Sequence, residues 1–185
     1  MKRKIAVVVG LLLTIGVGSA VFLWPTPQRN AIARVQELQG IYREERDSTG
    51  RKVVSVIFIG RPIKNDDLST LRDIRPLNRV FLDSTKVTDA GLAYLEGIEG
   101  LEWVSVGDTA VTDEGMVHLS KIPTLHTLHL RKTRVTDAGL AHLQGLPNLT
   151  YVTVGQTKIT QAGIDALRRT TPSLKSASLD TEDGD

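Results

Sequence analysis

Without a cysteine, the chain offers no thiolate for metal binding or nucleophilic attack and no disulfide, so its four histidines are the first place to look for chemistry. His126 and His129 are three apart on or beside a strand, where side chains alternate, so they point in different directions and make a poor metal pair. His118 and His142 stand 24 apart, at the position that Tyr94 holds one interval earlier, on the outer surface of a helix. No carboxylate stands at a corresponding place to complete a ligand set. Serines, histidines and aspartates are present, but none sits in a nucleophile elbow or a glycine-rich phosphate loop. The expectation is a non-enzyme with no metal and no cofactor.

Recognition chemistry is better represented. Aromatic residues make up only 4% of the chain, yet Phe81, Trp103 and Tyr151 fall in two columns when the sequence is laid out at a 24-residue interval. One column reads Ser55, Arg79, Trp103, Thr127, Tyr151, Ser176, and the next reads Ile57, Phe81, Ser105, His129, Thr153, Ser178. Beside them lie Ile59, Asp83, Gly107, Arg131, Gly155 and Asp180. Exposed aromatics and arginines are enriched at binding hot spots. Arg79, Phe81, Asp83, Trp103, His129, Arg131 and Tyr151 are therefore the candidate binding residues, with Thr, Ser and Gly interrupting the patch.

The elements that must position them are announced by one phrase. Thr85 to Leu95, T-K-V-T-D-A-G-L-A-Y-L, returns in near copies at Thr109, Thr133 and Thr157. A unit recurring at a period of about 20 to 50 residues is the signature of a solenoid, in which each turn covers its neighbour's apolar face. Val53, Leu77, Leu101, Leu125 and Leu149 open successive turns, and Leu174 opens a partial one. Within a turn, Val80 and Leu82 alternate as in a strand, whereas Leu92, Leu95 and Ile98 recur at helical spacing. Thr88, Thr112, Thr136 and Thr160 stand where a helix must begin and can cap it. Asp89, Asp113 and Asp137 follow in the first turn, where the helix dipole favours a carboxylate. Gly91, Gly115, Gly139 and Gly163 suggest a close approach of helix and strand backbones. Thr85, Thr109, Thr133 and Thr157 occupy the bend, where a hydroxyl is expected to bond the adjacent turn. Pro123, Pro147 and Pro172 stop the helices.

The pattern L-x-x-L-x-L-x-x-T-x-V-T-D-x-G-L-x-x-L resembles the leucine-rich repeat, in the variety common in bacterial repeat proteins and similar to the repeats of F-box ubiquitin-ligase receptors. It covers about residues 53 to 181. The resemblance implies an α/β leucine-rich-repeat solenoid: a right-handed horseshoe with parallel strands on the concave face and short helices outside. No F-box-like segment is seen ahead of the repeats, so the ubiquitin role is not carried over. The functional expectation is a non-catalytic protein-interaction module that binds a peptide or protein across the concave strands. Two alternatives stand beside it: a structural or envelope protein assembling through its repeat ends, and the recognition subunit of a larger enzyme or signalling complex.

At the other end of the chain, Lys2, Arg3 and Lys4 precede Ile5 to Trp24, an uncharged run. At about 1.5 Å per helical residue such a run spans roughly 30 Å, the thickness of a bilayer's hydrocarbon core. Residues 1 to 24 are read as a membrane anchor with the basic tip cytoplasmic and the repeats exported. A cleaved signal peptide is the rival, since Gly18-Ser19-Ala20 offers a cleavage site; the anchor is preferred because the apolar run continues past it. Residues 25 to 52 form a linker and amino-terminal cap, a helix bearing Ile32, Val35 and Leu38 on one face and then a hairpin turning at Asp47-Ser48-Thr49-Gly50. Residues 182 to 185 are an acidic tail. The formal charge of +2 falls to −1 once Lys2, Arg3 and Lys4 are set aside, which is not the footprint of a nucleic-acid binder. Asn148-Leu149-Thr150 matches the N-glycosylation sequon.

Overall fold

The computed structural model describes residues 26 to 178. The expected anchor Ile5 to Trp24, Asp180 and the acidic tail lie outside the described residues. Among the described residues no helix is long and apolar enough to cross a membrane.

Helix α1 (Pro27–Glu37) starts as its sequence specifies, with Pro27 in the first turn and the Thr26 hydroxyl accepting the Arg29 N–H at 3.3 Å. Ala31 and Val35 form its buried face. The backbone reverses at Gln39, whose φ is 59°, rather than at Gly40. Gly40 is required for another reason: a Cβ there would collide with the Phe58 ring.

Strands β1 (Ile41–Arg46) and β2 (Lys52–Ile57) pair antiparallel. Asp47 organises their turn, accepting from Thr49 N–H at 2.9 Å and Arg51 N–H at 3.1 Å, as well as from the Thr49 hydroxyl. These bonds, the Thr49 hydroxyl first, hold its carboxyl well below the usual carboxylate range. Strand β2 serves both the hairpin and the array. On its other side β3 (Arg79–Phe81), β4 (Trp103–Ser105), β5 (Thr127–His129), β6 (Tyr151–Thr153) and β7 (Ser176–Ser178) follow in parallel, in chain order.

The register aligns Val80 with Val104, Leu128, Val152 and Ala177, one residue per turn. These stack into a single apolar core that runs from Ala31 to Leu174. Opposite the strands lie a 3₁₀ helix at Asn65–Asp73 and the helices α2 (Asp89–Leu92), α3 (Asp113–Leu119), α4 (Asp137–His142) and α5 (Gln161–Thr170). Leu92, Leu95, Leu119 and Leu143 are fully buried against the sheet. Parallel strands backed by short helices, turn upon turn, make this a leucine-rich-repeat solenoid.

Two expectations about the repeated phrase are corrected. The Thr85, Thr109, Thr133 and Thr157 hydroxyls do not reach the adjacent turn; each donates to the carbonyl three residues back in its own turn, at 2.6 to 2.7 Å. The bend places them there, because Ser84, Asp108, Lys132 and Gln156 immediately before them adopt left-handed φ of 54° to 59°. The side chain that adds to the sheet's backbone ladder in tying turn to turn is the aspartate. Asp89 accepts the Thr112 N–H and hydroxyl, each at 2.8 Å, Asp113 does the same for Thr136, and Asp137 for Thr160.

The glycines follow from that ladder. A Cβ on Gly115 would meet the Asp89 carboxylate and one on Gly91 the Asn65 amide oxygen at 2.7 Å, so it is a side chain of the preceding turn, not strand backbone, that claims the space. Helix capping by threonine holds for Thr112, Thr136 and Thr160, which accept from N–H groups of their own helices. Thr88 makes no such bond; its hydroxyl accepts from the Asn65 amide instead.

Candidate functional site

The strand face turned away from the helices carries the candidate residues. Alternation along each three-residue strand sends Val80, Val104, Leu128 and Val152 into the core and leaves their neighbours on the opposite face. Arg79, Phe81, Trp103 and His129 converge there. The Phe81 and Trp103 ring centroids are 6.0 Å apart and tilted by 39°, and the Trp103 and His129 rings stack at 5.1 Å and 27°. The Arg79 guanidinium lies over the indole, 5.7 Å from its centroid.

The small residues expected to interrupt this patch are what allows it to close. Ser105 and Thr127, the strand neighbours between Trp103 and His129, are each only 6% exposed although their face has no second layer of secondary structure above it. Small side chains at these two positions let the indole and imidazole meet diagonally across them. The rings are consequently half-buried rather than free in solvent. Their polar ends show the consequence: Trp103 Nε1 and His129 Nε2 are buried and have no hydrogen-bond partner among the described residues. His129 Nδ1 is engaged, 2.8 Å from the Thr153 hydroxyl. Burial pushes the His129 pKa down, against an opposing pull from the Asp83 charge.

The remaining candidates separate from this cluster. Asp83 is committed to the scaffold, accepting the Ser105 hydroxyl at 2.6 Å and the Gly107 N–H at 3.0 Å. Tyr151 aligns with Trp103 through Thr127, two strands along, and is 47% exposed. Arg131 is half-buried in the outer column, where its carbonyl accepts the Asp108 N–H at 2.8 Å. Sequence reasoning missed the extension toward the hairpin. Ile41 pairs with Ile57, and directly paired residues share a face. Ile57 in turn pairs with Phe81, so an apolar strip runs Ile41, Ile57, Phe81, Trp103, with Ile41 48% and nearby Ile59 52% exposed. The hairpin register, readable from the Asp47 turn, was the signal that could have placed Ile41.

The hairpin turn is also tied to the residue that precedes β4. Arg51 grips Glu102 with both terminal nitrogens, at 2.5 and 2.9 Å, and Asp47 through Nε at 3.0 Å. That pairing, Arg51 first, lowers the Glu102 pKa.

On the helix side, His118 does have a carboxylate neighbour, contrary to expectation. Glu96 lies 2.6 Å from its Nδ1 and 2.9 Å from Lys121 Nζ, an ion-pair cluster at the surface. Among the described residues no three His, Cys, Asp or Glu side chains are grouped to hold a metal. The sequon asparagine, Asn148, donates its amide to the Pro123 carbonyl at 2.8 Å, which occupies the nitrogen a glycan would need.

No protein-family model and no curated protein matches this sequence. Solved structures do. A chain of the Drosophila melanogaster SNF/U2A' complex superposes with a TM-score of 0.53 at 12% identity, over 80% of this chain and 83% of that one. Internalin C2 of Listeria monocytogenes is 23% identical over 60% of this chain, with a TM-score of 0.48. The internalin inlF of the same organism is 18% identical over 62%, with a TM-score of 0.41. This chain spans only 45% and 38% of those two internalins. At these identities the likeness concerns the fold alone, and the Drosophila chain carries it.

Proposed function

We propose that the chain is a non-catalytic protein-interaction module, anchored in a membrane through Ile5 to Trp24 and exported, that binds a peptide or protein along its strand face. The observation that carries this reading is the continuous row of Arg79, Phe81, Trp103 and His129 on a sheet face that no other element covers. A scaffold gains little from leaving two ring nitrogens buried and unbonded, since each such group costs about 1 to 3 kcal/mol. A face that docks a partner has reason to keep such rings packed against one another at the surface of the sheet. The likeness to a chain that occurs within the SNF/U2A' complex is in keeping with a role in assembly. On the same reading the T-D-x-G-L repeats are of the type shared by bacterial repeat proteins.

The test is a partner captured from membranes with the full chain, purified, and titrated against variants. Trp103→Ala and Tyr151→Ala should each weaken binding by about 2 kcal/mol or more, roughly thirtyfold, while His142→Ala on the outer helix surface leaves it unchanged. Parent-like binding by both aromatic variants means that the strand face is not the recognition face. The anchor has its own test: the protein stays with membranes through an alkaline wash, whereas a soluble mature chain beginning near Val21 overturns that part.

A further inference from the structure

The arginines of the fold are largely committed. Arg34 pairs with Glu37 and Asp67, Arg43 with Glu45, Arg51 with Asp47 and Glu102, and Arg168 with Asp165. Arg72 donates to the Ala93 and Tyr94 carbonyls, capping the end of the second turn's helix. Among the described residues the side chains of Arg29, Arg75, Arg79, Arg134 and Arg169 make no hydrogen bond and no ion pair, and of these Arg79 lies over a ring, 5.7 Å from the Trp103 centroid.

Neither Asp83 nor Glu102 forms an ion pair with Arg79. Asp83 is used by Ser105 and Gly107, and Glu102, whose charge Arg79 does feel, gives both oxygens to Arg51. A guanidinium over an indole face keeps its forked N–H donors for a planar acceptor. Such a fork suits a carboxylate, which it can take bidentately. Next to it on β3 is Phe81, flanked by Ile57 of β2. Residues two apart on one face of a strand are separated by roughly 7 Å, the same interval as side chains i and i+2 of an extended peptide.

We infer that Arg79 and Trp103 form a receptor for a carboxylate, and that the partner is a protein segment in extended form bearing Asp or Glu within two residues of a large apolar side chain that rests on Phe81 and Ile57. This rests on the interaction-module reading above and names the chemistry of its ligand. Arg79 is the cation beside the apolar strip and makes no ion pair there among the described residues, so charge complementarity favours an acidic segment over a basic one.

The test uses the full-length protein and a phage-displayed library of random heptapeptides, followed by synthetic copies of the enriched sequences. Acidic residues next to aromatic or aliphatic ones should be enriched. Changing the peptide's Asp or Glu to its amide should weaken binding roughly tenfold or more, and this difference should vanish in Arg79→Gln and be only partly retained in Arg79→Lys. Both variants are checked for a parent-like denaturation midpoint, which a surface arginine without ion pairs is expected to leave intact. Peptides that require Trp103 but ignore their own acid-to-amide change, or ignore Arg79→Gln, overturn the carboxylate receptor and leave the interaction module standing. A library with no binder sensitive to Trp103→Ala overturns both.

Discussion

Asp113→Ala is the most informative single perturbation of the scaffold, because the array contains its own controls. Asp113 accepts the Thr136 N–H through Oδ1 and the Thr136 hydroxyl through Oδ2, both at 2.7 Å, in a partly buried setting between two helix starts. Hydrogen bonds to a charged group are worth about 1.5 to 3 kcal/mol each. Partial exposure lets water replace some of this, so the pair together should cost about 2 to 3 kcal/mol when removed. Asparagine should be much milder. At the equivalent place one interval before Asp89, Asn65 accepts the Thr88 N–H and donates to its hydroxyl, both at 2.9 Å. The reversed hydroxyl bond there accompanies the loss of Thr88's bond to its own helix, so Asp113→Asn should cost about 1 kcal/mol or less. At the other end Gln161 holds the position and turns to Asp165 at 2.9 Å instead of to a following threonine. Gln161→Asp should therefore be neutral within about 0.5 kcal/mol. Urea denaturation followed by circular dichroism measures all three, and a weakened central interface should also lower the slope, since a solenoid's turns are coupled only to their neighbours. Equal costs for Ala and Asn, or an Ala cost below about 0.5 kcal/mol, would refute the ladder as the inter-turn tie.

Two further outcomes are expected. Gly139→Ala should destabilise by about 1 to 3 kcal/mol through overpacking, despite alanine's better helix propensity, because its Cβ would press on the Asp113 carboxylate and lie 2.7 Å from Val135; denaturation midpoints check this, and a stabilised variant would show that the carboxylate can shift aside. Burial favours neutral His129 in the fold, so the unfolded chain takes up its proton first and stability should fall as pH drops below about 6.5, the ordinary histidine value. The pH dependence of urea midpoints between parent and His129→Gln should differ in that direction, and identical profiles would mean that the imidazole is not held neutral by its surroundings.

The architecture was readable in the sequence because each repeat spells out its own geometry. The period-2 pair at Val80 and Leu82 and the helical spacing of Leu92 and Leu95 are direct imprints of which side chains must be dry. The aspartate's role was not readable in the same way. Placed one residue after a capping threonine, it satisfies a local rule about helix dipoles, and that local sufficiency hid a partner one turn further along the chain. A better signal lay in the exceptions, since Asn65 and Gln161 depart from Asp at the two ends of the ladder, where the demand on the side chain changes. The candidate site was legible as columns, but not its closure. Which rings meet depends on how small Ser105 and Thr127 are and on diagonal packing between strands, and an alignment of repeats does not encode that.

The division of labour between the two faces explains why a repeat that declares its fold so plainly is nearly silent about its ligand. Beyond the backbone ladder of the sheet, side-chain ties between turns are carried by the aspartate and threonine at the helix starts and packing by one core residue per strand, so those positions repeat almost without change. The alternating strand positions carry fewer such ties, those of Asp83 with Ser105 and Gly107 and of His129 with Thr153. They read Ser, Arg, Trp, Thr, Tyr, Ser in one column and Ile, Phe, Ser, His, Thr, Ser in the next. Freedom from the fold's demands is what permits Arg79 to lie uncommitted on Trp103, and it implies that exchanges in these columns alter recognition far more than stability. Aromatic and charged side chains clustered where the repeat imposes little are those that the proposed partner on the strand face would use.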